Sequence, residues 1–194
     1  MVKIGFICEG DTEQILLLSG SFQQYLSSIN LLAVNVINAC GSGNLLPHNI
    51  GGYVESLEKA GAEVVVILTD LDNDICITKT KERIKPRVQD VVIIAVKKIE
   101  AWFLANDIAM RSLLKDGQFS FIAPEGEDNP YETIKGLLLK FSGRGIGRTS
   151  SGKIRLIKRL IDLGFDLQNS ANHPQCFSAK YFLGKLREIG KSSV

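Results

Sequence analysis

The sequence predicts an α/β fold: a mostly parallel sheet flanked by helices, followed by a C-terminal helical extension. Three observations carry this. Short, continuous, β-branched apolar runs recur through the first hundred residues, as in IGFIC at Ile4–Cys8 and VVVIL at Val64–Leu68; such runs suit strands buried on both faces. Segments with helical apolar spacing separate them, and strand–helix alternation implies right-handed βαβ crossovers. From Glu100 onward only helical spacing remains.

Each element has its own signal. Ile4–Cys8 is the first predicted strand. Asp11 with Gln14 three residues on is a capping-box arrangement, and the helix it opens is read as one long segment with Ile15, Leu18, Phe22, Tyr25 and Ile29 facing inward. Leu31–Ala39 is the second strand, ended by Cys40-Gly41-Ser42-Gly43. A helix follows with Ile50, Tyr53, Val54 and Leu57 on its inner face and Gly61 as its stop. Val64–Leu68 is the third strand, a short helix lies around Lys79–Ile84, and Val91–Val96 is the fourth strand. Beyond it, helices are predicted at Glu100–Ala105, Ile108–Leu114, Tyr131–Lys140, Ser151–Leu163 and Phe177–Ile189, with an acidic Gly/Pro-containing loop at 117–129.

The 194 residues, 45% hydrophobic and 23% charged, suit one compact unit, divided softly into an α/β part (1–105) and a helical part packed on it (106–194). No apolar run approaches the ~20 residues of a membrane span, and no signal peptide opens the chain. Cys8, Cys40, Cys76 and Cys176 lack metal-binding spacing, so reduced thiols in a bacterial-type cytoplasm are expected. The net charge of +2 argues for no partner.

The charge distribution is more telling. The first strand breaks into Glu9-Gly10-Asp11-Thr12-Glu13 and the third into Thr69-Asp70-Leu71-Asp72-Asn73-Asp74. Parallel strands share a C-terminal edge, where such folds place ligands. Glu9, Asp70, Asp72 and Asp74 are therefore expected to gather there, with Asp70 and Asp72 on one side of an extended segment. Glu100, after the fourth strand, is a further candidate. Crowded carboxylates stay ionised only if a cation neutralises them, and an all-oxygen donor set selects Mg²⁺ or Mn²⁺. The competing reading is structural: Glu9, Asp11 and Glu100 complement helix N-termini and Asp70–Asp74 are turn residues.

This pattern resembles the Toprim domain of topoisomerases, primases and OLD-family nucleases, with Glu9 of CEGDTE and Asp70/Asp72 of LTDLDND at its signature positions. It is most similar to a small bacterial Toprim-like family known as domain of unknown function 4276, through EGDTE at 9–13, AVKKIEAWFLAND at 95–107 and, weakly, SAKYFLGKL at 178–186. The resemblance implies a Toprim-like sheet and a Mg²⁺-dependent site for phosphodiester chemistry, with Glu9 as general acid/base and the aspartates as metal ligands. It also implies work in bacterial defence or genome maintenance, and a partner protein such as an ATPase, since the chain carries no ATPase domain of its own.

Residues 133–161 hold eight Lys/Arg and no acid, a stretch read either as a nucleic-acid-facing surface or as a solvated helix face. Arg144, Arg148 and Lys153, together with Lys97 beside the fourth strand, are the candidate phosphate contacts. Gly147–Lys153 matches GxxxxGK, but Ile154 replaces the Ser/Thr of a phosphate loop and no strand precedes it. His173 and Cys176 are too few for zinc. Trp102 is read as a core aromatic. The expected function is a Mg²⁺-dependent phosphodiesterase or nuclease, a regulator of one, or a related nucleic-acid-processing protein. One alternative is a catalytically silent nucleic-acid-binding component. The other is a haloacid-dehalogenase-like phosphatase, which would need its aspartate pair after the first strand, where Glu9-Gly10 stands.

Overall fold

The computed structural model describes residues 1–143, 145 and 150–191. Four strands, β1 (Val2–Cys8), β2 (Leu31–Asn38), β3 (Val64–Asp70) and β4 (Val91–Ala95), form one sheet in the order β2-β1-β3-β4. All pairings are parallel. The α/β fold with helices on both faces is therefore as the sequence predicts. The chain moves outward from β1 to β2, then returns across β1 to β3. Strand order thus reverses between β1 and β3, and at such a switch point the loops leaving the two strands separate and open a crevice.

Alternation along the strands divides the core in two. Ile4, Phe6 and Cys8 of β1, with Val66, Leu68 and Ile93, join the larger cluster, which runs on through Trp102, Phe103, Ile157 and Phe182. Ile7, Val65, Ile67, Val92 and Ile94 face the other way, against Leu45, Val54, Leu57 and Ile84. This second face is covered by α3 (Pro47–Lys59) and α4 (Ile77–Ile84). Gly5 lies on it because a Cβ there would come within 2.9 Å of the Leu57 side chain.

The first face carries α1 (Asp11–Leu17) and α2 (Gly20–Ser28), then α5 (Glu100–Leu104), α6 (Asp107–Leu114), α7 (Pro130–Ser142), α8 (Ser150–Asp162), α9 (Leu167–Asn172) and α10 (Phe177–Lys191). One large apolar cluster thus spans residues from both halves of the chain. Trp102 is fully buried, stacked on Phe182, and its Nε1–H donates to Ser178 Oγ at 2.7 Å. Glu125 accepts the Ser178 hydroxyl and the Phe177 and Ser178 N–H groups, so it caps α10 inside the core.

Three local expectations are corrected. The single helix after β1 is two, because the Ser19 hydroxyl accepts from Phe22 N–H and starts α2 afresh. Asp11 does not cap α1; Gly10 holds that position with no side-chain bond, and Asp11 Oδ1 accepts from Asn38. Finally, α9 is absent from the sequence reading. It has a proper cap, Asp166 accepting from Gln168 N–H, but only six residues, too few for a period to register.

Candidate functional site

The C-terminal ends of β1, β2 and β3, with α1 and the first turn of α8, line a cleft of about 370 Å³. Glu9 leaves β1 there. Its Oε2 accepts from the Thr69 hydroxyl at 2.5 Å and from Asp70 N–H at 3.3 Å, which ties the end of β1 to the end of β3. Asp70 is the last residue of β3, and its Oδ1 accepts from Ile99 N–H at 2.7 Å. The turn leaving β4 thereby wraps one oxygen of Asp70. The next residue of that turn is Glu100, the first of α5 and fully buried.

Two members of this cluster stand outside the predicted ligand set. Glu13 on α1 is 4% exposed, and Lys153 on α8 places its Nζ 2.5 Å from Glu100 Oε1. The same Glu100 oxygen accepts from the Thr12 hydroxyl at 3.0 Å, whereas Oε2 is buried with no hydrogen-bond partner among the described residues. Thr12 and Glu13 turn inward because α1 buries Leu16 and Leu17, four residues on. The predicted inward residue Leu18 is instead 57% exposed.

The electrostatics follow from crowding. Burial holds Asp70 well above the usual carboxylate range, and the charges of Glu13, Glu100 and Glu9 add to it. Glu13 is pushed up to about 7, first by burial and then by Glu100 and Glu9. Lys153 is raised: burial works against its charge, but Glu100, Asp70 and Glu13 outweigh that. Several acids within mutual reach of one ammonium form an arrangement that favours cations.

The remaining candidates are dispersed. Asp72 is not on an extended segment with Asp70: β3 ends at Asp70, and Asp72 takes a left-handed conformation (φ 47°). Its carboxylate is 43% exposed, with Lys98 at 3.9 Å. Asp74, in the loop before α4, is bound to that helix, its Oδ2 accepting from Thr80 and Arg83; those bonds, the Thr80 one foremost, hold it below the usual range. Lys97 pairs with Asp128 at 2.6 Å. Arg144 and Arg148 lie outside the described residues. Lys153 reaches the acids instead of standing free for a phosphate.

Of the predicted ligands the cleft is thus lined by Glu9 and Asp70 and gains Glu13; Glu100 lies buried behind it against Thr12 and Lys153, and Asp72 and Asp74 are left out. The donor chemistry fits Mg²⁺ or Mn²⁺: every ligand is a hard oxygen, and Glu100 presents a buried one that has no hydrogen-bond partner among the described residues. The spacing is looser than a closed cage. Among the described residues no three Asp, Glu, His or Cys side chains stand together as a ready-made metal site. Mg²⁺ commonly takes only one or two protein carboxylates and fills its octahedron with water and substrate oxygens. All four cysteines are free thiols, with Cys8 and Cys176 buried. Among the described residues no helix is long and apolar enough to cross a membrane.

No family model matches the chain, and neither the curated proteins nor the solved structures include a significant match.

Proposed function

We propose that the protein is a Mg²⁺- or Mn²⁺-dependent phosphodiesterase or nuclease with Glu9, Asp70 and Glu100 as its working carboxylates. The observation that carries this reading is the convergence of Glu9, Glu13, Asp70 and Glu100 on the sheet edge where strand order reverses. Crowding like charges in a buried cleft costs stability and is retained where a cation or a reaction needs it. Glu9 and Asp70, with Glu100 beside them, would hold the ion; when bound it supplies Lewis-acid stabilisation of a phosphoryl oxygen. Thr69 and the Asp70 N–H fix Glu9 in place, as a group that shuttles a proton must be. The cleft volume suits one nucleotide unit, so a polymer would cross its mouth.

The test is hydrolysis of labelled single- and double-stranded DNA and RNA with Mg²⁺ or Mn²⁺. The wild type is expected to cleave at least one of them. Glu9→Gln and Asp70→Asn are each expected to lower the rate by about 10²-fold or more, on the order of what loss of one acid–base group costs. Hydrolysis unaffected by both substitutions defeats the proposal. The second reading, a silent nucleic-acid-binding component, is favoured by one observation: an ammonium already sits among the acids.

A further inference from the structure

The Lys153 ammonium is an incomplete occupant of its place. It meets Glu100 Oε1 at 2.5 Å, while Glu100 Oε2, fully buried, has no hydrogen-bond partner among the described residues. A lysine offers a compact point charge on a flexible stem, so it can neutralise one acid closely without serving every acid of the cleft. Its side chain is 38% exposed, which leaves a way out of the cleft. The Nζ also lies 5.9 Å from the centroid of the Tyr131 ring, within the range where an aromatic face attracts a cation. That ring, which Lys135 Nζ also faces at 5.4 Å, therefore borders the place the ammonium holds.

We infer that Lys153 is a tethered counter-cation which holds the acidic cleft until a divalent ion displaces it, so that metal binding releases the first turn of α8 from Glu100. The inference rests on the metal-dependent reading above and adds to it a competition between two cations. Lys153 is then a positioning residue: it keeps Glu100 and its neighbours close without metal, and it weakens the apparent affinity for metal. Because Lys153 sits in the opening turn of α8 and Arg155, Lys158 and Arg159 are exposed further along that helix, loading the cleft also loosens the attachment of a basic surface.

The probe is Mn²⁺ alone, titrated calorimetrically into the full-length wild type, Lys153→Met, Lys153→Gln and Asp70→Asn, each first shown to be folded by circular dichroism. Lys153→Met and Lys153→Gln are expected to bind Mn²⁺ about tenfold more tightly or better, because one positive charge has left a low-dielectric site. Asp70→Asn should bind it more weakly. In parallel, amine acylation followed by peptide mass spectrometry should show Lys153 of the wild type protected without Mn²⁺ and several-fold more reactive with it. If the wild type binds Mn²⁺, loses it in Asp70→Asn, yet neither Lys153 variant binds more tightly and labelling does not rise, the displacement is wrong while the metal site stands. If no protein binds Mn²⁺, both fall together.

Discussion

Lys153 Nζ lies 2.5 Å from Oε1 of Glu100, a glutamate with no exposed surface and a distant neighbour in sequence. The ion pair joins the opening turn of α8 to the turn that leaves β4, and so ties the helical half of the protein to the sheet edge. Breaking a buried pair from one side leaves an uncompensated charge and costs about 3–5 kcal/mol; the partial exposure of the lysine should bring this to about 2 kcal/mol. Lys153→Met is therefore expected to lower metal-free stability by about that amount. The double variant with Glu100→Gln should lose less than the sum of the two single changes. Additive losses in urea unfolding would mean that the two groups do not interact in solution.

Glu13 makes stability depend on pH in an uncommon direction. Its carboxyl titrates at about 7 folded against an ordinary 4.5, so between those values the folded state binds more protons than the unfolded chain. Stability from this group is then full below about 4.5 and is lost as pH rises through about 7, a change on the order of 3 kcal/mol. Asp70, also raised, contributes with the same sign. Glu13→Gln should gain on the wild type steadily across that window and hold a constant advantage above it. A difference that is flat with pH would show that Glu13 is not under strain. Saturating Mn²⁺ should flatten the wild-type slope, since a bound cation stabilises the ionised form.

Asp70→Asn and Asp72→Asn should separate sharply. The amide oxygen of Asn at position 70 can still accept from Ile99 N–H, and the substitution removes a charge repelled by Glu13, Glu100 and Glu9. Metal-free melting temperature at about pH 8 should therefore rise by a few degrees, with metal affinity lost. Asp72, exposed and only loosely paired with Lys98 at 3.9 Å, should change neither by more than about 0.5 kcal/mol. A marked loss of Mn²⁺ affinity in Asp72→Asn would restore it to the ligand set.

These contrasts mark where local sequence carries information. Strand identity is legible because β1, β3 and β4 are continuous apolar runs, and Glu9, Asp70 and Glu100 are legible because each closes or closely follows such a run. Asp72 escapes because extended spacing does not continue past the strand, into a turn where backbone direction reverses. Thr12 and Glu13 escape because the apolar spacing points to Ile15 and Leu18 as the inward residues of α1. Leu16 and Leu17 bury instead, and they rotate the polar pair into the cleft. Lys153 sits in a basic stretch that suggests a phosphate partner, whereas its actual partner, Glu100, is a tertiary neighbour that no local pattern reveals.

Ser178 supports the fold from beneath the site. Its hydroxyl accepts from Trp102 Nε1–H and Val96 N–H and donates to Glu125. Ser178→Ala would leave the indole N–H and a carboxylate oxygen short of a partner, at a cost of about 2–3 kcal/mol. Chemical denaturation should show this loss with an unchanged m-value. Because Val96 follows β4 directly, mild loosening of the β4–α5 turn should appear as faster amide exchange at Ile99. A loss below about 0.5 kcal/mol would mean that water replaces the hydroxyl without penalty.

The basic face of α8 decides between a nuclease and a silent binding component. Arg155, Lys158 and Arg159 are exposed on the helix whose first turn enters the acidic cleft, on the side roughly opposite Lys153 at 3.6 residues per turn, so a phosphate backbone held by them reaches the cleft only by passing round that helix. Replacing all three by Ala should weaken nucleic-acid binding strongly at low salt and reduce the slope of log affinity against log salt by about 0.7–0.9 for each phosphate no longer neutralised. Glu9→Gln should leave that slope unchanged, because Glu9 is fastened to Thr69 and the Asp70 N–H inside the cleft and adds nothing to the basic surface. It should lower Mg²⁺-dependent cleavage by about 10²-fold or more at the same time. Unaltered binding by the triple variant would remove α8 from the interface. Intact binding by the wild type with no cleavage in Mg²⁺ or Mn²⁺ would favour the silent component, with Lys153 as the permanent cation of a site that no longer turns over.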